Sequence, residues 1–118
     1  MGKLISWIEI PVTDFQRAVN FYQNVFNLEL ETKDSGEEKM AFFPGGEGVL
    51  FYKPGFTPSA AGVIINLDAG SRFDEAMSRI SENGGKIIRQ KTPVKSGGTG
   101  FFALFIDSEG NRLGLNGE

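Results

Sequence analysis

"WIEIPVTDFQRAVNFYQNVF", Trp7 to Phe26, changes its hydrophobic period halfway along. Ile8, Ile10 and Val12 alternate with Trp7, Glu9 and Pro11, the period-two pattern of a strand with two differently occupied faces. From Phe15 the apolar residues Phe15, Ala18, Val19, Tyr22, Val25 and Phe26 recur at helical spacing, leaving Gln16, Arg17, Asn20, Gln23 and Asn24 for solvent. Asp14 or Thr13 supplies an N-cap, and Asn27 can end the helix. The stretch therefore reads as a strand running into an amphipathic helix. Glu9, the one acid in that strand, is open to three readings: metal ligand, catalytic base, or structural charge with a local partner.

Three short strand patterns follow, "LELETK", "KMAFFP" and "GVLFYK", separated by the turn signals "DSGEE" and "GGEG". After "PGFTPSAAG" the same order begins again: a strand "VIINLD", a helix "SRFDEAMSRISENGG", then strands "KIIRQK", "GFFALFID" and "NRLGLN". Phe15, Ala18, Val19 and Tyr22 correspond to Phe73, Ala76, Met77 and Ile80 at one constant offset. The fold class is α+β, with two βαβββ modules (about 1–55 and about 60–118) in a single domain spanning 1–118. Each module makes a curved mixed sheet with its helix outside, leaving a cupped inner face.

Composition narrows what such a cup can do. A chain of 118 residues, 40% hydrophobic with 11 Phe, buries a real core. A net charge of −3 without a basic run argues against nucleic acid or an anionic membrane as partner. No apolar run approaches the ~20 residues of a membrane span, and the N-terminus lacks a cleavable leader pattern, so the expectation is a soluble, cytoplasmic protein. Cys and His are both absent, which removes thiol nucleophiles, Cys-based zinc sites and the usual neutral-pH base. Any metal would need carboxylate and carbonyl oxygens alone.

If Ile8, Ile10 and Val12 lie under the first helix, then Ile5, Trp7 and Glu9 face the cup, and the same rule sends Ile64 and Asn66 inward. Leu113 and Leu115 should pack under the second helix, so Arg112, Gly114 and Asn116 face inward; Met40, Phe42, Leu50 and Tyr52 are further lining candidates. Aromatic walls with a few polar groups suit a small-molecule pocket. A filled core, with Glu9 held by Arg112 or an amide, is the competing reading. "DSEGN", Asp107 to Asn111, reads as a hairpin turn rather than a calcium loop, and Arg17 as a surface or inter-element ion pair. "KSGGTG" lacks the phosphate-loop pattern and reads as a mobile loop over the cleft mouth, with "GGEG" acting similarly.

"EIPVTDFQRAVNFYQNVFNLEL" and the distal "GFFALFIDSEGNRLGLNG" together resemble the vicinal oxygen chelate superfamily, which groups glyoxalase I, bleomycin-resistance proteins and extradiol dioxygenases. The paired elements are Asp14, Arg17, Ala18, Phe21 and Tyr22 in the first motif, and Asp107, Glu109, Gly110 and Asn111 in the second. The resemblance implies two βαβββ modules forming a cupped sheet, often completed by a symmetric dimer, and favours Phe102 and Leu104 inside the cup. It also implies four inward metal ligands, typically His and Glu, at the positions occupied here by Trp7, Leu50, Gly62 and Gly114. None of those side chains can coordinate, so glyoxalase I or dioxygenase chemistry is not expected, and no metal or other cofactor is.

The expectation is a homodimeric, metal-independent binding or sequestration protein for an aromatic or amphipathic small molecule. Its site residues would be Trp7, Glu9, Phe42, Tyr52, Asn66, Phe102, Leu104 and Asn116. The alternative is a metal-free lyase or isomerase with Glu9 as general base, because a carboxylate in an apolar cleft is a stronger base.

Overall fold

The computed structural model describes residues 4–95 and 98–118; Ser96 and Gly97, in the middle of "KSGGTG", lie outside the described residues. Strand β1 (Ile8–Pro11) leads into helix α1 (Phe15–Phe26), followed by β2 (Glu31–Asp34), β3 (Lys39–Phe42) and β4 (Gly48–Tyr52). The second half repeats this order with β5 (Asn66–Gly70), α2 (Phe73–Glu82), β6 (Lys86–Pro93), β7 (Phe101–Ile106) and β8 (Arg112–Gly117). The sheets have matching strand orders, β1-β4-β3-β2 and β5-β8-β7-β6, each with one parallel pair (β1 with β4, β5 with β8). Two βαβββ modules are thus present, as the repeated pattern predicts. No helix among the described residues is long and apolar enough to cross a membrane.

Helix α1 forms where the period changes. The Asp14 carboxylate accepts from the Arg17 N–H at 3.1 Å as N-cap, and Asn27 ends the helix in the left-handed conformation that its short amide side chain tolerates. Ile10, Val12, Ala41 and Leu50 meet Ala18, Val19, Tyr22 and Val25 in the core, and Ala103, Phe105, Leu113 and Leu115 do the same beneath Phe73, Ala76 and Ile80. Phe21 is buried as well, stacked on Phe105 with ring centroids 6.4 Å apart. Helix α1 therefore buries a second face, against the other module.

Two elements start later than their hydrophobic patterns predict. Leu28 to Leu30 precede β2 because the Leu30 N–H donates to the Gln23 side chain at 3.0 Å, which ties the segment to the end of α1. Val63 to Ile65 precede β5, and Val63 is 87% exposed; β5 joins β8 in regular register only from Asn66 opposite Gly114.

The β7–β8 turn "DSEGN" clasps the modules together. Asp107, buried with no cationic partner among the described residues, accepts from the Glu109 and Asn111 N–H groups on Oδ1 and from Tyr22 O–H (2.6 Å) and Asn111 Nδ2 on Oδ2. Every lone pair of a costly buried charge is thereby used. Asn111 Nδ2 also donates to the Pro11 carbonyl at 2.7 Å. Glu109 reaches the other module's helix: its Oε1 accepts from the Thr13 and Asp14 N–H groups at 2.9 and 2.7 Å, and its Oε2 pairs with Arg17 Nε at 2.8 Å. The inter-element pair expected of Arg17 is therefore an inter-module one. A carboxylate from one module thus caps the positive end of the other module's helix.

Candidate functional site

Two cavities lie along the seam between β1 and the segment leading into β5. The larger, about 540 Å³, has apolar walls from both modules: Ile5, Trp7, Ile8 and Ile10, then Tyr22, Phe26, Leu28 and Phe43, and Ile65 with Leu67. Its polar groups are Ser6, Asn66, Glu47 and Asp68. Such a volume suits a small organic molecule, and the few polar groups suit its orientation. Local structure places each wall. The 3-10 turn Pro44–Gly46, part of "PGGEG", brings Glu47 beneath β1, where its carbonyl accepts from the Ile8 N–H at 3.1 Å. Gly48 then passes so close to Ile8 that a Cβ there would strike the Ile8 carbonyl. "GGEG" is thus a wall of this cavity. Tyr22 presents its ring between Phe26 and Phe43, at centroid distances of 6.1 and 6.2 Å. Burial pushes the Tyr22 phenol well above its ordinary value and the neighbouring Asp107 charge adds to this, so the hydroxyl stays a donor to Asp107.

The smaller cavity, about 180 Å³, lies between Glu9, Thr57, Ser59, Ala61, Val63 and Arg112. Glu9 lines this space and not the larger one, and its carboxylate lies 3.8 Å from Lys53 Nζ. The Lys53 ammonium also sits over the Phe51 and Phe56 rings, at 4.4 and 5.2 Å from their centroids. The local partner of Glu9 is Lys53, so neither Arg112 nor an amide holds it; Arg112 instead donates to the Gly62 carbonyl at 2.8 Å.

Of the residues singled out in the sequence, Trp7 and Asn66 line the large cavity together. Phe42 sits beside Trp7 with ring centroids 6.4 Å apart. Phe102, Leu104 and Asn116 occupy the open face of the second sheet, opposite to the fully buried Ala103, Phe105 and Leu115. Arg89 stacks over Phe102 at 5.2 Å. Tyr52 requires a correction: it lies on the helix side, packed against the core, and so does Leu50, which is wholly buried and paired with Ile10. The strand "GVLFY" is apolar on both faces, so alternation alone carries no sign; the pairing of Glu9 with Val49 puts Val49 and Phe51 on the open face instead. Tyr22, Phe26, Phe43, Leu67 and Asp68 belong to the large cavity without having been marked as site residues. Their helical and strand periodicity announces only a core, because the gap that opens beside them exists between modules.

The positions at which the resemblance implies metal ligands do not fit a divalent cation. Trp7 and Gly114 offer an indole and a hydrogen, Gly62 has no side chain, and Leu50 faces the core; Val49 and Phe51, beside it, also lack a donor. At Gly114 the neighbouring Asn66 side chain fills the space, and a Cβ there would collide with its Oδ1. Among the described residues, no three His, Cys, Asp or Glu side chains converge on one point.

Comparison with known proteins agrees with this architecture. The family model described as "Glyoxalase/Bleomycin resistance protein/Dioxygenase superfamily" matches residues 4–115. The chain is 36% identical to a glyoxylase-like domain-containing protein of Didymella fabae over 91% of its own length and 88% of that protein. It is 33% identical to the lactoylglutathione lyase of Salmonella typhimurium over 90% of its own length and 86% of that protein. Its fold superposes on the crystal structure of a glyoxalase/bleomycin resistance protein from Albidiferax ferrireducens with a TM-score of 0.73, at 16% identity, covering 98% of this chain and 100% of that one.

Proposed function

The chain belongs to the glyoxalase/bleomycin resistance protein/dioxygenase superfamily, and from that premise we propose that it binds a small aromatic or amphipathic molecule between its modules without using a metal. The observation that carries this reading is the cavity of about 540 Å³, walled by Trp7, Tyr22, Phe26 and Phe43 and provided with Asn66 and Ser6 for orientation. The donor set supports the metal-free part, since the side chains at the expected ligand positions are an indole, an aliphatic group and glycines. Binding or sequestration fits this set better than Lewis-acid catalysis, and better than base catalysis by Glu9, whose carboxylate lines the other cavity beside Lys53. Trp7 lines this cavity with Phe42 beside it, whereas Phe102, Leu104 and Asn116 line neither cavity and stand outside the proposed site.

A homodimer completes the reading. Ile5, Trp7, Val63, Ile64 and Ile88 are exposed apolar side chains. The two modules are built alike, so a two-fold axis can seat the first module of one copy on the second module of the other.

Trp7 is the only Trp, so its fluorescence reports on the cavity directly. A panel of neutral aromatic compounds is expected to give saturable quenching for some members, and Ser6→Phe, which fills the cavity from an exposed segment, is expected to weaken it at least about tenfold. Absence of saturable quenching across the panel, or indifference to Ser6→Phe, would sink the reading.

A further inference from the structure

We propose that the cavity between the modules selects organic cations, of the class of quaternary or protonated aromatic amines, over neutral and anionic molecules of the same shape. This inference rests on the binding reading above and adds the charge of the ligand to it.

Among the described residues the lining holds two carboxylates, Glu47 and Asp68, and neither Lys nor Arg. Both acids are exposed and neither joins an ion pair among the described residues. Asp68 Oδ1 accepts from the Gly70 N–H at 2.8 Å. The acids come from different modules, Glu47 from the turn before β4 and Asp68 from β5, and flank one space. The same lining includes the rings of Trp7, Phe26 and Phe43. Aromatic faces carry negative potential and attract ammonium groups, most strongly for indole, and an ammonium loses less on leaving water when carboxylates stand nearby. Basic groups lie elsewhere: Lys53 is held over Phe51 and Phe56 near Glu9, and Arg112 on the Gly62 carbonyl. An anionic ligand in the large cavity would face two carboxylates with no compensating cation among the described residues of its walls.

The test uses three probes that share one phenethyl body: phenethyltrimethylammonium, the neutral ketone benzylacetone, and the anion hydrocinnamate. Each is titrated against the full chain by Trp7 quenching and calorimetry at low ionic strength. The cation is expected to bind about three- to tenfold more tightly than the ketone, and the anion more weakly by a similar factor, the size of a solvated charge pair at close range. Added salt and the Glu47→Gln, Asp68→Asn double variant are each expected to move the cation-to-ketone ratio toward one; thermal melting confirms that the variant is folded. Equal binding of all three probes, preference for hydrocinnamate, or a ratio unchanged in the double variant overturns the charge preference while leaving the pocket standing. Failure of all three probes to bind overturns the pocket and the preference together.

Discussion

Glu109 does more than its place in a hairpin turn suggests. Burial by itself pushes its carboxyl up, but the Arg17 guanidinium, the Asp14 N–H, the Ser108 hydroxyl and the Thr13 N–H outweigh burial and hold it below the ordinary 4.5. A carboxyl whose folded-state value is depressed contributes its full stability above its unfolded value and loses it as the pH falls through the folded one. Thermal midpoints measured from about pH 7 down to about pH 3 are therefore expected to fall on the acid side, and Glu109→Gln is expected to flatten that part of the curve. Glu109→Ala leaves the N–H groups of Thr13 and Asp14 without their acceptor and should cost about 2–4 kcal/mol in chemical denaturation. Loss of less than about 0.5 kcal/mol, within the usual range for surface changes, would mean that the clasp is ornamental. Glu9 shows the reverse case: conspicuous in the sequence, it is a half-exposed acid whose partner is the lysine at the end of the neighbouring strand.

At the level of elements, the approach of β5 to β8 fixes where Asn66 sits, and with it one wall of the large cavity. Gly114 and Asn66 are direct partners, and the amide occupies the volume a side chain at 114 would need. Asn66 is exposed and its amide can swing aside, so Gly114→Ala is expected to cost at most about 1 kcal/mol, and less still in an Asn66→Ala background, where the colliding group is gone. Equal costs in both backgrounds would disprove the contact. Strands β1 and β8 were legible residue by residue because each is apolar on one face only, so the period of the pattern also gives its direction; helix α1 was legible on the face toward its own sheet but not at Phe21, which it buries against the other module. Strand β4 was not, since Val49, Leu50, Phe51 and Tyr52 are apolar throughout and only the pairing of Ile10 with Leu50 decides which of them faces the helix.

For the whole molecule, the two sheets lie side by side in a flattened body of 44 × 40 × 27 Å, held by the α1–α2 contact and the "DSEGN" clasp. Trp7, Ile64 and Ile88 are exposed at 42, 37 and 45%, apolar surface that a partner copy could cover. Sedimentation is expected to give a species of twice the 12.9 kDa chain mass, and Ile64→Glu, which places a charge on that face without touching the core, is expected to shift it to the monomer. A wild-type chain that remains monomeric at high concentration would refute the dimer. The sequence by itself determined the module order, the helix faces toward each sheet, the helix α1 caps and the absence of His and Cys, because each depends on local periodicity or on the identity of a single residue. Only the tertiary structure decided where the cavity opens, that Lys53 answers Glu9, and that Tyr22, Phe26 and Asp68 share one space. Those facts depend on how one module docks against the other, a relation set by contacts such as Tyr22 with Asp107 and Arg17 with Glu109, far apart in the chain and invisible to any period.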